Sequence, residues 1–278
     1  MSDFTIQKED YEEPACPFCV DRWKDEPPVK PVPIRRIIQK LDEHLSYNDY
    51  ISGERHLLYW LGEATDGNDK RGMLTIYNEL MGIYRKTNRK EEALESLTEA
   101  LKLLENTDLD FTVTAGTTYI NAATVYKAFS YPEKSLPLFQ KAQKIYESEL
   151  SGSDSRLAGL YNNMALTLVD LKLYNEAYGY YEKAISVNSQ NENGELETAI
   201  TYLNIANAKE LESGLEKAEE EIAQYIEKAY KLLTIESIPK NGYYAFVCEK
   251  CAPTFSYYGY FYYENDLKER AKKIYERD

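Results

Sequence analysis

The sequence has few of the residues that interrupt helices. Its 278 residues include only 13 glycines and 10 prolines. Six of these prolines precede residue 34, and four of the six fall in one stretch, at Pro27, Pro28, Pro31 and Pro33. Glycine costs backbone entropy in a helix, and proline removes a hydrogen-bond donor. The scarcity of both beyond residue 33 argues against a loop-rich fold and predicts an all-α protein.

Positive charge is also scarce. The chain carries 33 lysines and arginines against 47 aspartates and glutamates, which gives a net charge of −14. A nucleic-acid partner needs a basic face that neutralises phosphates, and an anionic membrane surface makes the same demand. We therefore expect no nucleic acid and no membrane among the partners. A field of this sign favours a neutral or basic partner, because it raises the association rate.

Long apolar runs and secretory features are lacking. No stretch of about 18 apolar residues, the length needed to span a bilayer, occurs. The first residues, MSDFTIQKEDYEEP, contain no basic segment followed by an apolar core, which a secretory signal requires. Four cysteines in such a chain are typical of a reducing compartment. We therefore expect a cytoplasmic protein.

Catalytic motifs are missing as well. The two histidines, His44 and His56, have no nucleophile at a catalytic spacing. The patterns HExxH, GxSxG, GxxxxGK[ST] and GxGxxG do not occur. The sequence therefore predicts a protein that is not an enzyme.

What the chain does contain is an internal repeat. Seven apolar or small positions return after 42 residues and again after 84: Tyr77, Leu80, Met81, Tyr84, Ala93, Leu97 and Ala100; then Tyr119, Ala122, Ala123, Tyr126, Ser135, Phe139 and Ala142; then Tyr161, Met164, Ala165, Leu168, Ala177, Tyr181 and Ala184. Their spacings of three and four residues predict two helices in each unit. Since one hairpin cannot bury its apolar face alone, neighbouring hairpins are expected to stack.

This pattern resembles the tetratricopeptide repeat (TPR) family, in which each hairpin has a tyrosine on the first helix and an alanine–aromatic–alanine series on the second. The long period is similar to the repeats of kinesin light chains and of bacterial peptide-pheromone receptors. The resemblance implies a right-handed superhelix of about six stacked hairpins over residues 34–278, after an acidic, proline-rich tail at residues 1–33. It also implies a bacterial module that binds a peptide or protein segment.

The outer hairpins follow the repeat less closely. Leu203 and Ala206 are expected to continue the first-helix stripe after the third unit. In the last hairpin we expect Gly259 and Tyr262 to lie on the first helix, in one stripe with Phe255 and Tyr258, and Ala271 and Tyr275 to lie on the second helix.

Asparagines recur on the predicted first helices. When the first tyrosine of each unit, and Leu203 in the fourth, is numbered position 4, two columns appear: Asn78, Asn162 and Asn204 at position 5, and Asn121 and Asn163 at position 6. At about 100° per residue, position 5 lies opposite the buried stripe, on the concave face. The resemblance to peptide-pheromone receptors implies that such amides, which offer both donors and an acceptor, hold an extended peptide. We predict ligand contacts for the first column. For the second column we favour contacts between neighbouring helices, and its asparagines stay candidate ligand residues.

Two basic residues, Arg85 and Lys127, share position 12 on the same face. Some relatives bind an acidic chaperone C-terminus through a clamp of several lysines, arginines and asparagines. The match here is partial, and we include both residues as candidate ligand contacts.

Aromatic residues concentrate near the end, in GYYAFVCEKCAPTFSYYGYFYYEN at residues 242–265. This stretch could form a terminal cap, a sticky end of the groove or a homodimer face, since tyrosine is favoured at interfaces. A self-associating scaffold whose groove is closed by its own tail is therefore an alternative to the peptide-binding module.

The cysteines form two CxxC pairs, Cys16 with Cys19 and Cys248 with Cys251. Together they could supply four thiolates to one zinc ion, although residues 19 and 248 are much further apart in the chain than usual zinc ligands. Separate redox or disulfide pairs and incidental thiols are the alternatives. A zinc or thiol protein is thus a third hypothesis, and otherwise we expect no cofactor.

Overall fold

The computed structural model describes residues 30–105 and 112–276, and within these ranges all regular structure is α-helical. The helices are α1 (Ile34–Ser46), α2 (Tyr50–Asp66), α3 (Lys70–Lys86), α4 (Lys90–Glu105), α5 (Val113–Ala128), α6 (Pro132–Glu149), α7 (Ser155–Asp170), α8 (Tyr174–Asn188), α9 (Gly194–Ser213), α10 (Leu215–Leu233), α11 (Gly242–Tyr257) and α12 (Phe261–Tyr275). Most of the predicted tail, with Cys16 and Cys19, lies outside the described residues. No described helix is both long and apolar enough to cross a membrane.

Consecutive helices pack as hairpins: α1 with α2, α3 with α4, and so on to α11 with α12. The chain divides into two compact units, residues 1–150 and residues 151–278. The first unit contains helices α1–α6, and the second contains α7–α12. The predicted all-helical fold of paired helices is confirmed.

The repeat positions form the core of each hairpin. All of the predicted stripe residues in the three central hairpins are buried except Tyr77 and Tyr126, which are half-buried. The alanines of the second helices, Ala93, Ala100, Ala142, Ala177 and Ala184, have no exposed surface. Because alanine adds little bulk, the two helices of a hairpin can approach closely and pack densely.

Every hairpin turns through one residue in the left-handed conformation. These residues are Asn48, Asn88, Ser130, Lys172, Gly214 and Gly259, with φ between 56° and 84°. Asparagine and glycine adopt this conformation at low cost. The turns therefore recur with nearly the same period as the apolar stripes.

The last hairpin differs from its predicted register. Helix α11 ends at Tyr257, Gly259 lies in the turn with φ of 84°, and Tyr262 lies on α12. The expectation that Gly259 and Tyr262 belong to the first helix was wrong, because Gly259 terminates that helix and is not one of its small packing residues. The buried stripe is instead formed by Cys248, Cys251, Ala252 and Phe255, whose spacing matches that of Tyr161, Met164, Ala165 and Leu168.

Residues 30–33, which we expected to belong to the tail, pack against the turn between α2 and α3. The Val32 amide donates to Asp69 Oδ2 at 2.9 Å, and Val32 is buried. The other carboxylate oxygen of Asp69 accepts from the Gly72 amide at 2.9 Å and caps α3. The Asp69 side chain thus holds residues 30–33 in place and also caps the start of α3.

Two fully buried tyrosines differ in how their hydroxyls are satisfied. The Tyr244 hydroxyl donates to the Leu233 carbonyl at 2.8 Å, whereas the Tyr181 hydroxyl has no partner within the described residues. Burial raises the pKa of Tyr244 to about 12. A buried hydroxyl without a partner loses its hydration with no compensating bond.

We expect Tyr181→Phe to leave the free energy of unfolding unchanged or slightly increased, because it removes an unpaired polar group. Tyr244→Phe, at an equally buried site, should lower it by about 0.5–1.5 kcal/mol through loss of a hydrogen bond. Urea unfolding followed by circular dichroism measures both variants. A larger loss for Tyr181→Phe than for Tyr244→Phe would contradict this packing.

Candidate functional site on the first helices

In the first unit, asparagines join the first helices of adjacent hairpins. Asn78 Nδ2 on α3 donates to Thr118 Oγ1 on α5 at 3.0 Å, and Asn121 Nδ2 on α5 donates back to Asn78 Oδ1 at 3.0 Å. The Thr118 hydroxyl in turn donates a hydrogen bond to the Thr114 carbonyl at 3.1 Å. The Asn78 amide is therefore both donor and acceptor in a relay between helices.

The second unit repeats this relay but lacks the bond that corresponds to the one from Asn121 to Asn78. Asn162 Nδ2 on α7 donates to Thr201 Oγ1 on α9 at 2.9 Å, and Thr201 donates to the Glu197 carbonyl at 2.8 Å. Asn162 Oδ1, however, is buried and has no partner within the described residues. Asn204 on α9 is half-buried, and its amide forms no hydrogen bond with the part of the chain that the structure describes. The relay is complete in the first unit and incomplete in the second.

The hydrogen bonds correct the register of Asn204. Thr118 immediately precedes Tyr119, and Thr201 immediately precedes Tyr202, so Tyr202, and not Leu203, is at position 4. Lysine ammonium groups support this alignment: Lys141 lies 5.1 Å from the Tyr119 ring centroid, Lys183 5.4 Å from that of Tyr161, and Lys228 5.7 Å from that of Tyr202.

Tyr202 follows Tyr161 by 41 residues, one fewer than the period of the earlier units. The alignment of Asn204 with Asn78 and Asn162 was therefore wrong: Asn204 corresponds to Asn121 and Asn163. Tyr202 and Leu203 are both large and apolar, so hydrophobicity alone did not separate the two registers. The aromatic residue shared by Tyr119, Tyr161 and Tyr202 was the signal that could have done so.

A cleft of about 340 Å³ lies between α9 and α11, the first helices of the last two hairpins. We call it the α9–α11 cleft; its lining residues are Leu203, Asn204, Asn207, Pro253, Thr254, Tyr257 and Tyr258. The lining combines amides, a hydroxyl and aromatic rings. The unpaired Asn204 amide is therefore among the residues that line a cleft between first helices.

Tyrosine–glutamate bonds connect α9 with α11 and its C-cap through Glu197 and Glu210, which precede and follow the cleft-lining stretch of α9. The Tyr243 hydroxyl donates to Glu197 Oε1. The hydroxyls of Tyr257 and Tyr258 donate to the two carboxylate oxygens of Glu210, at 2.7 and 2.8 Å. The hydrogen bond to Glu210 raises the pKa of Tyr257. The pKa of Tyr258 is also raised, mainly by burial and to a lesser extent by its own hydrogen bond to Glu210. The phenols are therefore held neutral, as donors.

The other candidate ligand contacts lie elsewhere on the first helices. Arg85 is exposed on α3 and Lys127 is half-buried on α5, both in the first unit, while Asn163 is half-buried on α7. Asn78, Asn121 and Asn162 bond to neighbouring helices. A ligand role for each of these residues stays a prediction.

Cys248 and Cys251 are buried on α11 as free thiols. Burial raises the pKa of both, that of Cys251 to about 12. A thiolate is the form that binds zinc or attacks a disulfide, so this environment favours the inert, packed thiol. The three-residue spacing of the two cysteines in CEKC is also that of the first two residues of each buried stripe. The sequence alone therefore indicated that they could be packing residues.

Within the described residues, no three or more histidine, cysteine, aspartate or glutamate side chains are arranged to hold a metal. The four-cysteine zinc site stays a prediction, because Cys16 and Cys19 are outside those residues.

Comparison with known proteins identifies the repeat. The family model described as Tetratricopeptide repeat matches residues 75–106 and 158–191. Two Arabidopsis thaliana proteins, KINESIN LIGHT CHAIN-RELATED 3 and KINESIN LIGHT CHAIN-RELATED 1, are each 26% identical to this chain over 127 residues, which is 45% of the chain. The match covers only 19% and 20% of those relatives, about a fifth of their length.

A solved structure supports the fold. The crystal structure of "kinesin light chain nearly identical TPR-like repeats" from Podosopora anserina is 16% identical, with a TM-score of 0.50, and covers 72% of this chain and 94% of its own. The chain therefore contains tetratricopeptide repeats and is similar to kinesin light chain-related proteins. The resemblance inferred from the tyrosine and alanine positions is confirmed.

A double-mutant cycle tests whether the two relays differ. Asn78→Ala and Asn121→Ala should show a coupling free energy of about 0.5–1.5 kcal/mol, because each removes the same hydrogen bond. Asn162→Ala and Asn204→Ala, the matched pair in the second unit, should be additive within about 0.5 kcal/mol. Urea unfolding of the single and double variants provides the values. Equal coupling in the two pairs would show that Asn204 closes its relay.

Proposed function

We propose that this chain is a non-catalytic module that binds an extended segment of a partner protein along its first helices, with the α9–α11 cleft as the principal contact. The TPR-type repeat is generally a protein-interaction scaffold without catalytic activity, which supports a non-catalytic role in protein binding. The choice of the α9–α11 cleft as the contact rests on the cleft itself and on Asn204.

The observation that carries the proposal is the unpaired Asn204 amide at the α9–α11 cleft. An extended peptide presents backbone N–H and C=O groups, and one asparagine amide can accept from the first and donate to the second. The rings of Tyr257 and Tyr258 add apolar surface beside it. Asn163, in the same unit, is a further proposed contact. Arg85 and Lys127 are proposed as contacts on the first unit by itself, while Asn78, Asn121 and Asn162 support the helices that carry them.

Self-association is a second candidate function, favoured by aromatic side chains on the last hairpin. Phe246, Phe261 and Tyr262 are 52%, 61% and 76% exposed. Aromatic residues are enriched at protein interfaces, so these three could form a homodimer face. The alternative in which the N-terminal tail closes the groove depends on residues outside those that the structure describes.

Affinity capture with purified variants tests the peptide-binding role. Asn204→Ala should lower the binding of proteins captured from native lysate about tenfold, since one hydrogen bond contributes about 1–1.5 kcal/mol. Asn175→Ala, which removes an exposed asparagine from α8, should capture as much as the wild type. Quantitative mass spectrometry of captured proteins, with circular dichroism of each variant, makes the comparison. Unchanged capture by Asn204→Ala refutes the role of the cleft.

Sedimentation velocity of the full chain separates the second candidate. If the aromatic face makes a dimer, Phe261→Ser together with Tyr262→Ser should convert the dimer to monomer without changing helicity. A monomeric wild type at all concentrations would reject self-association.

A further inference from the structure

We infer that the α9–α11 cleft selects partner segments with two basic side chains about six residues apart, one for Glu197 and one for Glu210. This inference specifies the ligand class of the proposed function and rests on it. It follows from a recurring arrangement of tyrosine, carboxylate and cation in this chain.

Three tyrosine–carboxylate bonds elsewhere are completed by a cation of the chain itself. The Tyr84 hydroxyl donates to Glu54 at 3.0 Å, and Arg89 pairs with Glu54 while lying 4.7 Å from the Tyr84 ring centroid. The Tyr178 hydroxyl donates to Glu212 at 2.7 Å, and Lys209 lies 4.0 Å from that carboxylate and 4.4 Å from the ring centroid. The cation in each case contacts both the carboxylate and the aromatic face.

A third example uses Asp266. The Tyr230 hydroxyl donates to Asp266 at 3.0 Å, and Arg270 pairs with the same carboxylate oxygen at 2.6 Å. Tyrosine and cation thus bind one carboxylate together. The hydrogen bond from a neutral phenol leaves the negative charge in place, and the arginine or lysine compensates it.

The two bonds that flank the cleft lack this cation. Neither Glu197 nor Glu210 forms an ion pair with any residue in the ranges 30–105 and 112–276. Lys209, next to Glu210 in the chain, is paired with Glu221 at 2.8 Å. Tyr257, whose hydroxyl donates to Glu210, is 67% exposed. A lysine or arginine from a partner could therefore lie on the Tyr257 ring and reach the carboxylate, as Arg89 does at Tyr84 and Glu54.

Position on the first helices distinguishes this site from similar bonds. Tyr263 donates to Glu227 at 2.7 Å, also without a paired cation among the described residues. That bond joins α10 and α12, the second helices of their hairpins. Tyr275 on α12 donates to Glu249 on α11 at 3.3 Å, within one hairpin and again without a paired cation among the described residues. Glu197 and Glu210 differ from both because they lie on α9, before and after the stretch that lines the cleft with Asn204.

The distance between the carboxylates sets the spacing in the ligand. Glu197 and Glu210 are 13 residues apart on α9, which corresponds to about 20 Å along the helix axis at ~1.5 Å per residue. An extended peptide covers about 20 Å in roughly six residues. Asn204 lies midway along α9 between the two glutamates, so its amide should contact the backbone midway between the two basic residues.

A peptide selection tests the inference on the full chain. A phage-displayed library of random 12-residue peptides is selected on the immobilised wild type, and each clone is then tested on Asn204→Ala. Clones that depend on Asn204 should be enriched in lysine or arginine pairs six residues apart. Enrichment of acidic or uncharged peptides among these clones would overturn the inference and leave the proposed function standing. A selection without any Asn204-dependent clone would overturn both.

Matched substitutions confirm which carboxylates are involved. For a selected peptide, Glu197→Gln and Glu210→Gln should each raise Kd about tenfold by isothermal titration calorimetry, because glutamine keeps an acceptor for tyrosine but removes the charge. Glu227→Gln, at the similar bond on the second helices, should leave Kd within about twofold. Equal losses for all three variants would indicate general electrostatic attraction and would contradict selection at the cleft.

Discussion

The close packing of each first-helix stripe against small residues of the second helix is the contact on which the rest of the structure depends. Ala177 and Ala184 are fully buried, and Tyr161, Met164 and Leu168 pack on the same hairpin core. Because apolar burial occupies one side of each first helix, the opposite side is left for polar residues. The asparagines therefore recur with the repeat without entering the core, and the same constraint orients them towards the next first helix.

Tyrosine side chains also join neighbouring hairpins in this chain, which has 26 tyrosines and a net charge of −14. The ring supplies apolar contact area, and the hydroxyl donates to a carboxylate of another hairpin. Arg89, Lys209 and Arg270 compensate the charge at three such bonds. Glu197 and Glu210 have no such cation among the described residues, so the second unit keeps negative charge before and after the cleft-lining stretch of α9. Part of the chain's excess negative charge therefore lies at Glu197 and Glu210.

Much of the fold could be predicted from sequence because two periodic signals agree, the apolar stripe and the hairpin turn. The last hairpin was misplaced because Gly259 fits either a small packing position or a left-handed turn, and only φ separates them. At the candidate site, Asn204 was placed one position off its register, since Tyr202 and Leu203 both have large, mostly apolar side chains. The tyrosine–glutamate bonds could not be predicted, because they join residues 46–48 apart in the chain. They depend on how α9 and α11 align along their axes, which short-range sequence patterns do not indicate.

If the cleft binds the ligand, the Asn204 amide contacts it while the relay of the first unit does not. The side-chain amide resonances of Asn204, Asn78 and Asn121, assigned through the alanine variants, report on this in ¹⁵N–¹H NMR spectra recorded with and without a selected peptide. We expect the Asn204 amide signals to shift and become protected from exchange on binding, whereas those of Asn78 and Asn121 stay unchanged. Shifts at Asn78 and Asn121 with none at Asn204 would contradict binding at the cleft.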